Sequence, residues 1–299
     1  MKEKVMKVVF LMTACVSILA VALICLFLFV NGVPAIQKIG LFEFLGGTTW
    51  KASSDKFGIL PMILGSVYVT AGALVIGVPI GILTAVFLAR FCPKRLYKPL
   101  KAGVDLLAGI PSVVYGFFGL VVIVPMIRDF GKWMKMMGLV EKSGDGKGVL
   151  TTSIILGMMI LPTIIGTTES AMRAVPEQYY EGALALGATH ERSIFTVIIP
   201  AAKSGVIAGI VLGIGRAIGE TMAVIMIVGN QPRLVSNMLL GMRTLTGNIV
   251  IEMGYATGLH REALIATGVV LFVFILIINF LRNLIPFILR RPGQILSVV

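Results

Sequence analysis

The sequence predicts an all-α membrane protein, a polytopic helical bundle of about six transmembrane helices. Of its 299 residues, 57% are hydrophobic and only 13% are charged, whereas a soluble domain is about half apolar and a quarter charged. The mean hydropathy is +0.98. The apolar residues also fall into long runs separated by short charged stretches, which is the pattern of a membrane protein.

Six apolar runs are long enough to cross a bilayer, which takes about 20 residues at about 1.5 Å of rise each. The first run follows three lysines and is longer than the apolar core of a signal peptide, so it predicts a retained first span. Prolines inside three later runs indicate a packed bundle, because neighbouring helices must satisfy the backbone groups that proline leaves free. The run boundaries are soft, so five or seven spans stay open. The predicted spans are 8–30, 61–89, 103–127, 149–172, 204–229 and 263–286.

The net charge of +12 lies mostly in short loops between the apolar runs. This distribution is typical of loops held against anionic lipid headgroups, and it argues against a nucleic-acid-binding protein. The densest cationic loop, RFCPKRLYKPLK at 90–101, favours a cytoplasmic N-terminus under the positive-inside rule. The loop 128–147 carries five cations as well, so charge alone leaves the orientation open.

The sequence contains no motif for chemistry on a substrate. The three cysteines lack metal-site and disulfide spacing, and we assign no role to the two loop histidines, His190 and His260. The stretch GDGKG at 144–148 lacks the spacing of a phosphate-binding loop. We therefore predict a non-enzymatic chain with no catalytic residue, no metal and no cofactor, and we place any ATP hydrolysis on a partner chain.

The fifth run carries an arginine and a glutamate at bilayer depth, in GIGRAIGETMA at 213–223. On a continuous helix at about 100° per residue, Arg216 and Glu220 share one narrow face with several glycines. Glycines four residues apart let another helix approach closely, so this face is expected to point into the bundle. The expected packing glycines are Gly205, Gly209, Gly213, Gly215 and Gly219.

Two interpretations of this charged pair stay open at this point. The pair is either a structural ion pair, or part of the lining of a water-filled path for a charged substrate. Arg216 suits an anion, because a guanidinium group binds oxyanions through two parallel hydrogen bonds. Glu220 is then expected to hold the guanidinium group while the path is empty. The residues favour the path, since intramembrane charges usually mark one.

The loop EGALALGATHERSIFTVIIP at 181–200 resembles the EAA motif of ABC importer permeases. That motif reads Glu-Ala-Ala, three residues, Gly, nine residues, Ile, one residue, Leu-Pro. Glu181, Ala183 and Gly187 match it, Gly182 replaces the alanine between Glu181 and Ala183, and aliphatic residues and a proline complete its end. The resemblance implies a type I ABC importer permease fold and a short cytoplasmic helix that docks in a groove of an ATPase subunit. It also implies that both termini are cytoplasmic. The expected ATPase-coupling residues are Glu181, Gly182, Ala183, Gly187 and Ala188.

Further stretches are similar to the phosphate-importer permeases, among them LLAGIPSVVYGFFGL, and GIVLGIGRAIGETMAVIMIVGN is most similar to their PstC-type subunit. The resemblance covers about 57–285. It implies inorganic phosphate as the substrate and places the residues implicated in phosphate passage on Arg216 and Glu220. Thr221 completes the Gly-Glu-Thr run, and we expect these three residues to line the substrate pathway.

The expected organisation has three parts. Residues 1–60 form an N-terminal transmembrane helix and an extracytoplasmic linker, 61–286 form a five-helix permease domain with a cytoplasmic coupling loop at 173–203, and 287–299 form a cytoplasmic tail. In the bacterial inner membrane, the resemblance implies a second, PstA-type permease subunit, two cytoplasmic ATPase subunits and an extracytoplasmic phosphate-binding protein as partners, besides phosphate and membrane lipid.

Alternative functions stay open. The chain can serve another oxyanion, such as sulfate, molybdate or tungstate, since the permease sequence hardly distinguishes them. A self-sufficient secondary transporter is less favoured, because we find neither internal repeats nor broken helices. A membrane enzyme acting on lipid phosphates would need a carboxylate–metal cluster. Asp105 and Glu169 are expected to face headgroup water, and Arg173 either to cap the end of the fourth span or to contact lipid phosphate.

Overall fold

The structure is a computed structural model that describes residues 2–288, with side chains described for residues 3–280. The chain begins with α1 (Lys2–Ile39) and α2 (Leu41–Gly46), followed by an antiparallel hairpin of β1 (Trp50–Lys51) and β2 (Lys56–Phe57). Most of the predicted tail at 287–299, from residue 289 onward, lies outside the described residues.

Twelve further helices follow the hairpin within the described residues. They are α3 Leu60–Val86, α4 Lys94–Gly109, α5 Ser112–Phe118, α6 Val124–Met136, α7 Val149–Arg173, α8 Glu177–Ala185, α9 His190–Ser193, α10 Ile199–Ala201, α11 Lys203–Gly219, α12 Met222–Ile227, α13 Leu245–Glu252 and α14 Gly258–Ile288. Short π-helical turns extend α3 (Phe87–Phe91), join α5 to α6 (Gly119–Ile123) and join α9 to α10 (Ile194–Ile198).

Five helical segments of the described chain are long and apolar enough to cross a membrane, and a bent pair brings the number to six. The bent pair joins His190–Ala201 to Lys203–Gly219 at an angle of 70°. The five segments are Glu3–Ile39, Leu60–Phe91, Ser112–Met136, Val149–Arg173 and Gly258–Phe280. The prediction of an all-α bundle with about six spans is confirmed.

Helix α7 lies at the centre of the bundle, with 67% of its most apolar stretch buried. It packs between α3 and α11, and apolar residues such as Val69, Ile155 and Val224 fill the space between these helices and α12. Helix α1 packs against α14, and no residue of its apolar stretch is buried within this chain. Lipid or another subunit therefore has to cover α1, because its large apolar side chains are exposed.

The predicted third span, 103–127, is wrong at both ends. Helix α4 ends at Gly109, Ile110 is extended with ψ of 124°, and the membrane-spanning stretch is Ser112–Met136. The physical reason is Pro111, because a proline disfavours the helical conformation in the residue before it. Helix α4 carries four cations in its first eight residues and no buried residue, so it is an amphipathic helix that precedes the span.

The bundle has two chemically different ends. The α4/α8 end comprises α4, α8 and α9, and Arg90 connects α3 to it through an ion pair of 2.9 Å with Glu177. The hairpin end comprises α2, the β-hairpin and α13, where the Trp50 indole donates a hydrogen bond of 2.7 Å to Glu252. Each end thus holds its loop elements to the bundle through a charged or polar contact.

Candidate substrate path and coupling segment

The predicted fifth span, 204–229, is not one helix. Helix α11 ends at Gly219, Glu220 is extended with φ of −69° and ψ of 130°, and α12 begins at Met222. The expectation that the chain contains no broken helix is therefore wrong. We call the segment 219–222 the helix break. In a bilayer, such a break is tolerated only where protein or a water-filled cavity satisfies the freed backbone groups.

The Glu220 side chain caps the helix that follows the break. Its Oε1 atom accepts hydrogen bonds from the backbone N–H groups of Thr221 at 3.0 Å and Ala223 at 3.2 Å. A helix start leaves N–H groups without partners and favours negative charge, so the carboxylate is stabilised there. The predicted shared face of Arg216 and Glu220 is wrong, because the helical periodicity stops between these two residues.

Arg216 lies in the last turn of α11 and is half-buried. Its Nη1 atom donates a hydrogen bond of 3.4 Å to the Thr163 hydroxyl on α7. It forms no ion pair with any side chain of residues 3–280, so the expected contact with Glu220 is not formed in this structure. One of the five guanidinium donors is used, and the others are available to a ligand.

Hydroxyl groups surround the helix break. Ser66, Thr70, Thr244 and Thr246 line a cavity of about 10 Å³ beside Glu220, which is room for about one water molecule. The Thr246 hydroxyl donates a hydrogen bond of 3.2 Å to the Glu220 carbonyl. The sequence analysis missed these residues, although Ser and Thr four residues apart in an apolar span mark a polar stripe on one helix face.

The five expected packing glycines divide into two groups. A Cβ atom at Gly205, Gly209 or Gly213 would lie 2.1, 3.3 or 3.2 Å, respectively, from atoms of α7. These three let α11 approach α7 closely. Gly215 and Gly219 have nothing within 4 Å, so they do not pack inside this chain.

The predicted ATPase-coupling residues lie on α8 or in the turn after it. Glu181 and Gly182 are exposed, whereas Ala183 and Ala188 are half-buried. Gly187 follows the helix with φ of +82°, a conformation that side chains other than glycine rarely adopt. The neighbouring Leu186 is 91% exposed, so the segment presents an apolar side chain at the α4/α8 end.

A buried carboxylate, which the sequence analysis expected to face headgroup water, lies beside this segment. Glu169 on α7 is 3% exposed, so that expectation is wrong. Its carboxylate accepts hydrogen bonds from the Tyr97 hydroxyl at 2.7 Å and from Arg173 Nε at 2.9 Å, and Lys101 Nζ lies 3.2 Å away. We call these four residues the Glu169 cluster.

The electrostatics of the Glu169 cluster bind α4 to α7. The hydrogen bond to Glu169 raises the pKa of Tyr97. Burial lowers the pKa of Lys101, but the hydrogen bond and charge of Glu169 outweigh burial and leave that pKa raised. Arg173 also donates a hydrogen bond of 2.9 Å to the Leu88 carbonyl, which lies at the end of the second span and not of the fourth span that Arg173 was expected to cap. The carboxylate is thus stabilised by partners on both helices.

The two histidines, to which the sequence assigned no role, have polar partners. His190 Nδ1 lies 2.6 Å from the Tyr180 hydroxyl at the α4/α8 end. His260 Nε2 lies 2.8 Å from Glu252 and its side chain is 12% exposed. Burial raises the pKa of Glu252, but hydrogen bonds from Trp50, His260 and Arg243 outweigh this effect and lower the pKa. The contacts of Glu252 with Trp50, Arg243 and His260 thus hold the hairpin end together.

Comparison with known proteins yields one family and several close relatives. The family described as binding-protein-dependent transport system inner membrane component matches residues 77–290. The probable ABC transporter permease protein YqgH of Bacillus subtilis is 38% identical over 286 residues, covering 91% of this chain and 89% of the relative. The phosphate transport system permease protein PstC of Mesorhizobium japonicum is 36% identical over 277 residues, covering 89% of this chain and 84% of the relative.

Solved structures share the fold at low sequence identity. A chain of a bacterial ABC transporter involved in the import of the acidic polysaccharide alginate has a TM-score of 0.58 and 15% identity, with 91% of this chain and 95% of that chain covered. A chain of an amino acid ABC transporter has a TM-score of 0.52 and 18% identity, with 76% of this chain and 92% of that chain covered. These likenesses show the fold, and the predicted type I ABC importer permease fold is confirmed.

Proposed function

Because the chain belongs to the family of binding-protein-dependent transport system inner membrane components, we propose that it is the PstC-type permease subunit of an ATP-driven importer of inorganic phosphate. The chain is a multi-pass membrane protein and a transport subunit, not an enzyme. ATP is hydrolysed on separate subunits. What we propose beyond the family is the substrate, the identity of the partners and the role of each site residue.

The observation that carries the substrate proposal is the position of Arg216. Its guanidinium group is half-buried beside the helix break, with a hydroxyl partner and no carboxylate partner among the described side chains. A cation held at this depth is costly unless it meets an anion or water. Relatives named PstC phosphate transport permeases, at 32–36% identity over at least 85% of this chain, support phosphate as that anion.

Arg216, Glu220 and Thr221 line the proposed path with different roles. Arg216 is the transient partner of the anion, whose oxygens its planar donors fit. Glu220 holds the start of α12, so its negative charge is satisfied by backbone N–H groups and does not neutralise Arg216. A single arginine per subunit binds an oxyanion weakly enough to release it, as conduction requires.

The proposed partners occupy the two ends of the bundle. Two cytoplasmic ATPase subunits dock at α8 and at its counterpart on a second, PstA-type permease subunit, through exposed residues such as Gly182 and Leu186. An extracytoplasmic phosphate-binding protein delivers phosphate at the hairpin end. The α4/α8 end and the chain termini are then cytoplasmic. ATP binding moves α8, and the path opens alternately to each side.

Uptake measurements test the substrate. The complex with its ATPase, second permease and binding protein is reconstituted in liposomes, and uptake of radiolabelled phosphate is measured. Arg216→Gln should abolish uptake and leave co-purification of the subunits intact, whereas Arg128→Gln, at a 47% exposed side chain, should have no effect. Normal uptake by Arg216→Gln, or its failure to assemble, would refute the role of Arg216.

The same preparation distinguishes the alternative functions. Sulfate, molybdate and tungstate are offered as competitors and as substrates, and uptake of one of them in place of phosphate would identify another oxyanion importer. Concentrative uptake by this chain alone, driven by an ion gradient, would identify a secondary transporter. Phosphate uptake that requires ATP and the binding protein supports the proposal.

A separate variant tests the docking segment. Gly182 has an ordinary helical backbone and nothing within 4 Å, so this chain can accommodate Gly182→Trp without a clash. The bulky side chain should block the groove and abolish co-purification of the ATPase subunits, while the permease stays in the membrane. Gly187 is a poorer choice because its φ of +82° makes any substitution strain the turn itself. Normal ATPase co-purification with Gly182→Trp would contradict docking at this surface.

A further inference from the structure

The Glu169 cluster is continuous with the proposed docking helix. Arg90 lies between them: its Nη1 atom is 2.9 Å from Glu177 at the start of α8, and its Nη2 atom donates a hydrogen bond of 3.2 Å to the Met172 carbonyl on α7. Its guanidinium carbon also lies 5.9 Å from the ring centroid of Tyr180 on α8. A displacement of α8 therefore acts directly on the last turn of α7, which carries Arg173 of the cluster.

The Glu169 cluster then connects α7 to α4 through three contacts. Tyr97 and Lys101, one turn apart on α4, both point at the same carboxylate, and the Arg173 guanidinium carbon lies 4.5 Å from the Tyr97 ring centroid. No residue of α4 is fully buried, although Tyr97 and Val104 pack against a buried apolar cluster that includes Leu88 and Ile165. Besides this packing, the contacts to Glu169 are the polar attachment of the first half of α4 to α7.

Helix α4 is in turn attached to the wall of the proposed path. The Tyr115 hydroxyl on α5 donates a hydrogen bond of 2.9 Å to the Leu107 carbonyl near the end of α4, across the break at Pro111. Helix α5 packs on α12, where a Cβ atom at Gly116 would lie only 2.9 Å from the Ala223 Cα atom. Since Glu220 caps α12 at Ala223, α4 connects mechanically to the helix break beside Arg216.

We propose that Glu169 is a positioning residue that couples α4 to the docking helix, so that movement of α8 reaches α12 and the helix break through α4 and α5. The proposal rests on the proposed function only in that the chain is an importer permease whose α8 docks an ATPase. It does not depend on phosphate as the substrate. A carboxylate suits this role because it accepts hydrogen bonds from Tyr97 and Arg173 and forms an ion pair with Lys101, so it contacts two helices at once.

A purely structural ion cluster makes a different prediction. If Glu169 only stabilised the fold, its loss would lower assembly, ATP hydrolysis and uptake together. If it couples the two helices, its loss separates ATP hydrolysis from uptake. Glu169→Gln is a suitable change because Lys101 and Arg173 side chains are 26% and 45% exposed, so both cations reach solvent when the charge is removed.

The first experiment measures the number of substrate molecules taken up per ATP hydrolysed by the reconstituted complex. In Glu169→Gln, ATP hydrolysis should stay near the wild-type rate while uptake per ATP falls at least about fivefold, the lower end of the range for coupling between distant sites. Asp105→Asn is the matched control, since Asp105 contacts Lys101 at 3.5 Å but is 63% exposed. An unchanged ratio in Glu169→Gln, or an equal loss in Asp105→Asn, would overturn the proposal.

The second experiment follows the two helices without a transport assay. Spin labels are placed at Gln178 on α8 and Leu106 on α4, both exposed, in a chain whose three native cysteines are replaced. In the wild-type cluster the label distance should be the same with and without ATP, because the helices move together. In Glu169→Gln it should change or broaden on ATP binding. A distance that changes with ATP in the wild-type cluster would show that α4 does not follow α8.

If phosphate is the wrong substrate, uptake in the first experiment is absent in every variant, yet the spin-label result is unaffected. If the coupling proposal is wrong, wild-type uptake is normal and the label distances contradict it. The two failures are thus distinguishable.

Discussion

The contact between α11 and α7 gives a quantitative prediction from two glycines on the same helix. A Cβ atom at Gly205 would lie 2.1 Å from the Ala171 Cβ atom, whereas Gly215 has nothing within 4 Å. Carbon atoms attract best at about 3.5–4.0 Å, so the first substitution forces α11 away from α7 or shifts its backbone. Overpacking of this kind costs about 1–3 kcal/mol.

Helix propensity offsets part of this loss of stability. Alanine is favoured over glycine in a helix interior by about 0.5–1 kcal/mol. Because the overlap at Gly205 is severe, Gly205→Ala should lower the free energy of unfolding by about 1–2 kcal/mol in total. Gly215→Ala has no overlap, so it should only raise the free energy of unfolding. For a chain of this size about 1 kcal/mol corresponds to about 2–4 °C in Tm. We therefore expect a decrease of about 2–8 °C for Gly205→Ala and an increase of about 1–4 °C for Gly215→Ala.

Thermal unfolding of the purified full chain in detergent measures both variants. The fluorescence of buried Trp50 reports the transition. Equal destabilisation by the two substitutions, or a stabilised Gly205→Ala, would refute the packing argument. Repeating the measurement with the second permease subunit bound shows whether that subunit packs on Gly215, because Gly215→Ala would then lose its advantage only in the complex.

Two further predictions concern the carboxylates. Glu252→Gln should destabilise the isolated chain by about 3 kcal/mol, because it leaves Arg243 without its buried partner. Since the native pKa of Glu252 is lowered, its contribution is fully present above the unfolded value of about 4.3 and is lost as the pH falls from there through the lowered native pKa. Melting curves from about pH 6 down to about pH 2 should therefore show the wild type losing more stability below about pH 4.3 than the variant, and parallel curves in that range would contradict this. Glu220→Ala should cost about 1 kcal/mol as a lost helix cap, measured as faster hydrogen exchange of the Thr221 and Ala223 amides, and unchanged exchange would argue against capping.

The number of spans was predictable because a bilayer imposes a length and an apolar composition on each helix, and both can be seen in the sequence. The boundaries of the spans were predicted less accurately. Pro111 and the four cations of α4 together mark the real start of the third span, and giving the proline more weight than the apolar run would have placed it correctly. The proposed docking segment came from the resemblance of the 181–200 loop to the EAA motif and not from a physical pattern in the residues.

The roles of the charged residues were less predictable because they depend on tertiary partners. The helical wheel placed Glu220 beside Arg216 because it assumed a continuous helix, whereas α11 ends at Gly219. Glu169 was assigned to headgroup water because it lies near the end of a span, yet two of its three partners, Tyr97 and Lys101, come from α4, which is about 70 residues away in sequence. No local pattern reports such a contact, and a buried carboxylate becomes evident only when two helices are brought together.

The state of Arg216 leads to a final prediction, in which stability and function change in opposite directions. A cation near the bilayer centre costs about 2.5–3.5 kcal/mol on insertion scales, and among the described side chains Arg216 has one long hydrogen bond, to Thr163, to offset this cost. Its replacement by methionine, which has a similar length and no charge, removes this cost. Arg216→Met should therefore stabilise the isolated chain by about 1–2 kcal/mol, after the loss of that hydrogen bond is subtracted. Its Tm should rise accordingly. The same variant should lose uptake in the complex. A lower Tm for Arg216→Met would mean that the fold needs the cation, and the argument that Arg216 is held ready for an anion would fail.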